Sequence, residues 1–176
     1  GVVAGQILMG CSTGVGKYLM PQLVKDFHSR YPQVRFDVTV CTRDSVLDLL
    51  TSGDVNMIFC SSIAKHVDME VMPIYNDAVA LIVPADHRWA RVGKITPHEL
   101  LGEPLIGRED SSGTSQILYD ALSDYDIHPD MLNTVLTLSN VEAVTLAVEN
   151  NIGVAFVSRL VAQRSVEMGK IAVIEL

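Results

Sequence analysis

Residues 10–21, Gly-Cys-Ser-Thr-Gly-Val-Gly-Lys-Tyr-Leu-Met-Pro, turn an apolar strand at Gln6–Met9 into a helical pattern through small hydroxyl residues and glycines. A direct strand-to-helix junction of this kind belongs to α/β architecture. It is also a place to hold a small polar or anionic ligand, because backbone N–H groups at a helix N-terminus lack intrahelical partners and attract negative charge. Ser12 and Thr13 add hydroxyl donors there. The alternative is an ordinary capped strand-to-helix turn. Gly10, Gly14 and Gly16 miss the dinucleotide-binding spacing, and the segment lacks the Gly-Lys-Ser/Thr ending of a P-loop.

Alternating hydrophobic periods extend the pattern. Strand-like runs at Gln6–Met9, Arg35–Val40, Met57–Cys60 and Val79–Val83 enclose helical patterns at Gly16–Ser29 and Ser45–Leu50. Leu19, Leu23 and Phe27 recur at four-residue steps, and the helix is expected to stop before Tyr31-Pro32, where the residue preceding proline disfavours the helical region. Short loops make these helices crossovers in a parallel sheet. The second half continues in the same style. A short helix is expected after Thr96, with Pro97 at its first position, then a strand at Pro104–Gly107 and a helix after Ser112-Gly113-Thr114. A strand at Thr134–Leu138 leads to a Ser139/Asn140 cap with Glu142 in the first turn. A strand at Gly153–Val157, a helix over Arg159–Met168 and a strand at Ile171–Ile174 complete the series. Two α/β lobes are expected, 1–84 and 85–176, meeting near Val83–Asp86.

Composition excludes several function classes. With 176 residues, 48% apolar and only 19% charged, the chain can bury a substantial core, and no run approaches the roughly 18 apolar residues of a membrane span. Net charge is −8 with Lys and Arg scattered, so no basic stripe is available for a phosphate backbone. Beginning at Gly1 without a methionine, the chain is expected to be a piece of something longer.

The ordered motifs Gly10-Cys11-Ser12-Thr13 to Pro21, Phe27-His28-Ser29-Arg30-Tyr31-Pro32, Val46-Leu47-Asp48-Leu49-Leu50 with Gly53-Asp54-Val55, Leu81 to His87, and Val148-Glu149-Asn150-Asn151-Ile152-Gly153-Val154-Ala155 run through the whole chain. In this order and spacing they resemble the effector-binding domain of LysR-type transcriptional regulators. Arg108-Glu109-Asp110-Ser111-Ser112-Gly113-Thr114 further resembles a loop of one branch, whose members sense small metabolites or oxyanions. The resemblance implies a type 2 periplasmic-binding-protein-like fold, two α/β lobes with a ligand cleft between them. It implies a cytoplasmic, non-enzymatic sensor that works as a homodimer, or a tetramer in full length. DNA contact would be made only through a helix-turn-helix domain outside this chain, and the family usually continues with a strand returning to the first lobe. No cofactor and no membrane partner are implied. The alternative on the same fold is a solute-binding protein of a transport system.

Ligands of open α/β sheets bind beyond the carboxyl ends of the strands, so the post-strand loops are expected to face one cleft. They supply Ser12, Thr13, Thr42 and Ser61 from the first lobe, and Arg108, Ser112, Thr114 and Asn140 from the second. Arg108 stands as the only cation read among these loops, and its fork suits carboxylate, sulfate or phosphate. Against this stands a structural pair with Glu109 or Asp110.

Cys11, Cys41 and Cys60 follow the first three strands and so are expected at one sheet edge. They are open to three readings: small apolar residues lining the cleft, sensor thiols with pKa lowered by helix N-termini, or a soft-metal site without zinc spacing. The histidines, 28, 66, 87, 98 and 128, are dispersed and read as surface residues. Neither Ser12 nor Ser112 sits in a Gly-x-Ser-x-Gly elbow, and no catalytic or metal-ligating set is found.

Overall fold

The computed structural model describes residues 1–60 and 69–176, and it divides into two compact units, Gly1–Ile74 and Tyr75–Leu176. In the first unit the order is β1 (Ala4–Ser12), α1 (Thr13–Tyr18), α2 (Met20–Arg30), β2 (Gln33–Cys41), α3 (Arg43–Thr51) and β3 (Met57–Phe59). The described strands form a parallel sheet in the order β2-β1-β3, as the short crossovers require. Both β1 and β2 outrun their apolar stretches. Pairing in register from Ala4↔Gln33 to Ser12↔Cys41 carries them through polar ends that have no strand signal of their own.

Alternation along β1 sends Ile7, Met9 and Cys11 to one face, where they pack with Met20, Val15, Leu23 and Phe36. Gly10 faces the other way, against Ile58, Leu49 and Val55. Gly16 has a packing role: a Cβ there would stand 2.6 Å from a methyl of Val40, so its bareness lets α1 lie down on the sheet. The single helix expected over Gly16–Ser29 is two helices. Pro21 at the start of α2 lacks an N–H and crowds the carbonyl one turn back, and the helix breaks at Leu19.

The second unit runs β4 (Val79–Pro84), α4 (Arg88–Val92), a 3-10 turn (Pro97–Gly102), β5 (Leu105–Arg108), α5 (Gly113–Ser123), a 3-10 turn (Pro129–Met131), β6 (Thr134–Leu138), α6 (Val141–Glu149), β7 (Val154–Ser158), α7 (Arg159–Glu167) and β8 (Ile171–Ile174). Its mixed sheet has the order β6-β5-β7-β4-β8, with β5 parallel to β6 and β7, and β4 antiparallel to β7 and β8. β4 is buried almost throughout, as a central strand covered on both faces should be. Leu81 and Val83 pack with Trp89 of α4 and Leu118 and Leu122 of α5, while Val144 and Val148 of α6 and Val161 of α7 are buried as well.

Three expectations change here. The boundary lies upstream of 84/85, because β4 finds its partners in β7 and β8 and so belongs to the second unit. The short helix expected after Thr96 is present at Pro97–Gly102 with Pro97 first, in 3-10 form, and Thr96 N donates to Glu99 Oε2 at 2.8 Å across its start. Helix α4 has no counterpart in the sequence reading; His87 caps it, its Nδ1 accepting from Trp89 N at 3.2 Å, and Gly93 ends it in the left-handed region at φ +73°. His87 is therefore not a surface residue: its side chain is 17% exposed, with Nε2 donating to Glu103 at 3.4 Å.

Candidate functional site

In the first unit the carboxyl ends of β1 and β2 stop level with each other, Ser12 opposite Cys41, and each runs straight into a helix. Ser12 is the N-cap of α1 by backbone conformation, at φ −66° and ψ 156°, but its side chain makes no capping bond. Its hydroxyl is thus not spent on the helix. Thr13 opens α1 and is partly buried. Thr42 caps α3, accepting from Ser45 N at 3.4 Å and sharing a 2.9 Å bond with the Ser45 hydroxyl. These three residues come to one edge of the sheet. Ser61 and His66 lie outside the described residues.

Arg43, the first residue of α3, is missed by the sequence reading, which makes Arg108 the only cation of these loops. Arg43 directly follows Thr42, and its Nε is buried without a hydrogen-bond partner. The available signal is position alone, a cation immediately inside a helix cap at the strand end.

In the second unit β5 and β6 end together, Arg108 opposite Leu138. Arg108 is already engaged. Its Nε donates to Glu109 Oε2 and its Nη2 to Glu109 Oε1, both at 2.9 Å, and Nη2 also reaches the carbonyl of Ser139 at 3.4 Å. This is the structural pairing, and it leaves the expected anion-binding fork filled by a carboxylate of the same loop. Ser112, buried, caps α5 by accepting from Thr114 N at 3.3 Å, while Thr114 stands partly exposed beside it. Asn140, rather than Ser139, caps α6: its Oδ1 accepts from Glu142 N at 2.9 Å and Ala143 N at 3.0 Å. Its Nδ2 has no bond among the described residues.

The cysteines separate into two faces. Cys11 shares the α1 side of the sheet and is fully buried, whereas Cys41, paired with Ser12, projects to the opposite side. Burial raises the Cys11 pKa to about 11, with Cys41 and Cys60 adding to the rise. Cys41 is raised by burial, and Cys60 by burial against an opposing pull from Arg43. All three shifts run opposite to the lowering expected of sensor thiols. Among the described residues no group of three or more His, Cys, Asp or Glu is placed to hold a metal ion, and no helix is long and apolar enough to cross a membrane.

Comparison with known proteins bears on the family and the fold. A family model described as the LysR substrate binding domain matches residues 1–176. An uncharacterized HTH-type transcriptional regulator of Methanocaldococcus jannaschii is 31% identical over 170 residues, 97% of this chain and 57% of that protein. A probable RuBisCO transcriptional regulator of Chlorokybus atmophyticus is 26% identical over 168 residues, 94% of this chain and 54% of that protein. The chain thus spans little more than half the length of these relatives. Among solved structures, the regulatory domain of Synechocystis PCC6803 CcmR in complex with 2-PG superposes with a TM-score of 0.86 at 19% identity, covering 97% of this chain and 80% of that one. The effector-binding domain of QuiR in complex with shikimate gives 0.86 at 18% identity, covering 99% and 81%. The fold is that of such effector-binding domains, which is type 2 periplasmic-binding-protein-like.

Proposed function

The chain belongs to the LysR substrate-binding family, a non-enzymatic family of regulatory domains, and from that premise we propose that it senses a small anionic or polar metabolite at its strand-end loops. Ligand binding there controls DNA binding and transcription through a helix-turn-helix segment of the whole protein. The observation that carries this reading is the gathering of uncommitted polar groups at the carboxyl strand edge of each unit. Ser12 makes no capping bond and Thr13 lies beside it, while Thr114 and the Asn140 amide occupy the corresponding edge of the second sheet. Thr42 and Ser112 each cap the helix that follows the strand end in their own unit. QuiR and CcmR were solved with shikimate and 2-PG, which supports a ligand of small-metabolite size.

Isothermal titration against a panel of short carboxylates, inorganic oxyanions and uncharged polar metabolites tests the reading. Ser12→Ala combined with Thr114→Val should weaken the ligand by about 1.5–3 kcal/mol for each lost bond to a charged group. Unchanged affinity in the double variant would reject this site.

A further inference from the structure

We infer that Arg43 is the residue that grips the ligand, and that the ligand therefore carries a carboxylate, sulfate or phosphate group. The inference rests on the effector-binding reading and narrows it. Arg43 Nε is buried and has no hydrogen-bond partner, and among the described residues the side chain forms no ion pair. A buried charged donor left unsatisfied is costly, and native structures rarely carry one without a reason. The other cation of the strand-end loops is not in this condition, because Glu109 fills the Arg108 fork with two 2.9 Å bonds.

Position agrees with the same chemistry. Arg43 begins the nine-residue helix α3, directly behind the Thr42 cap and one strand away from Ser12. The positive end of the α3 dipole lies at the same strand edge as Arg43. Arg43 pulls the Cys60 thiol down against the rise caused by burial, and no described carboxylate lies within ion-pair distance of the guanidinium. No described residue supplies an acceptor of matching charge, and an anionic ligand does. The Nε edge of a guanidinium offers two parallel N–H groups, a geometry that fits the paired oxygens of a carboxylate or tetrahedral oxyanion and has nothing to offer an ammonium ligand.

The test is isothermal titration of the full chain with inorganic sulfate, inorganic phosphate, acetate, glycolate and succinate, alongside uncharged polyols, for wild type, Arg43→Met, Arg43→Lys and Arg108→Met. At least one oxyanion probe should bind the wild type, with affinity falling roughly tenfold or more in Arg43→Met. Arg43→Lys keeps the charge without the fork and should recover only part of that loss, while Arg108→Met should bind as wild type. Thermal melting of the ligand-free protein supplies the second readout: Arg43→Met relieves the unpartnered Nε and should melt no lower than wild type. Oxyanion affinity within about twofold of wild type in Arg43→Met, or a lowered melting point with affinity intact, overturns the role of Arg43 and leaves the effector-binding reading standing. Binding of uncharged polyols alone does the same. Absence of binding across the whole panel overturns both.

Discussion

Gly153 lies against the carbonyl group of Pro104 so closely that a Cβ on it would come 2.4 Å from the oxygen and 2.9 Å from the carbon. The same oxygen accepts from Val154 N at 2.9 Å, where β5 and β7 begin their parallel register at Leu105↔Val154. Glycine is there for space. Gly153→Ala should force these two backbone segments apart and destabilise the protein by roughly 1–3 kcal/mol, the cost of overpacking a site that cannot yield by rotating a side chain. Gly102, where an added methyl would meet nothing within 4 Å, provides the comparison. Gly102→Ala should stay within about 0.5 kcal/mol of wild type in urea denaturation.

The Arg108–Glu109 pair leads to a different expectation. Its side chains are 12% and 29% exposed and joined by two parallel bonds, so neither group is freely solvated. Glu109→Gln leaves a half-desolvated cation behind and should cost more than replacing both residues together by neutral ones. A double-mutant cycle with Arg108→Met should return a coupling of about 1 kcal/mol, smaller at high salt. Purely additive costs would show that the pair adds nothing.

How far the sequence can be read depends on whether an element is specified locally. Strands Thr134–Leu138 and Ile171–Ile174 appear at the expected bounds, because each is an apolar run closed by turn residues. The ends of β1 and β2 are not legible, since Ala4, Gly5 and Gln33 are strand residues only by virtue of pairing with each other. The assignment of β4 fails for the same reason: nothing near Val79–Pro84 says that its partners lie at Val154–Ser158 and Ile171–Ile174. Capping residues are legible in the site, and Thr42, Ser112 and Asn140 all accept backbone bonds. The charge balance is not. Whether Arg108 meets Glu109 or a ligand is decided by one side-chain rotamer, and whether Arg43 is solvated or tucked away is decided by packing around α3.

Asn140 allows capping and ligand contact to be separated. Its Oδ1 takes two backbone N–H groups of α6, and its Nδ2 points elsewhere. Asn140→Ala should lower stability by about 1 kcal/mol as a lost cap, and Asn140→Asp should restore the cap. Because aspartate loses the amide donor and adds negative charge, the Asp variant should nonetheless bind an anionic ligand more weakly than wild type. Recovery of both stability and affinity in the Asp variant would remove Asn140 from the site.

We propose that the domain self-associates as an antiparallel pair, as the family resemblance implies, with the helical region Gly16–Ser29 of one copy against a helix of the second unit of the other. Phe27 on α2 and Tyr31 just beyond its end approach to 4.8 Å between ring centroids, and Phe36 meets Phe27 edge-on at 5.5 Å. Phe27 and Tyr31 nevertheless remain 37% and 38% exposed. An exposed aromatic group of this kind marks an interaction surface more often than an isolated apolar side chain does. Sedimentation equilibrium should give a dimer, and Phe27→Glu should shift it to monomer without changing the circular dichroism. A wild-type monomer that sediments identically to Phe27→Glu would reject this face.

The Cys11 thiol sets the direction of the alkaline response. Burial, then Cys41 and Cys60, hold its pKa at about 11 against an ordinary 9.0. Between those values the unfolded chain gives up this proton and the folded chain keeps it. The unfolded state therefore binds fewer protons, and stability must fall as pH rises through the interval. The thiol's contribution is fully present below pH 9 and decays toward pH 11, approaching a loss of about 2 kcal/mol. Cys41 and Cys60, raised in the same direction, add to the slope. Urea denaturation at a series of alkaline pH values should show this decline in wild type and a shallower one in Cys11→Ala, whatever that variant costs at neutral pH. The same ionisation limits chemistry at the site: a thiol reagent at neutral pH should modify partly exposed Cys41 before buried Cys11, and both slowly. Equal pH slopes for wild type and Cys11→Ala would show that Cys11 ionises alike in folded and unfolded chains, and that its burial does not control its proton.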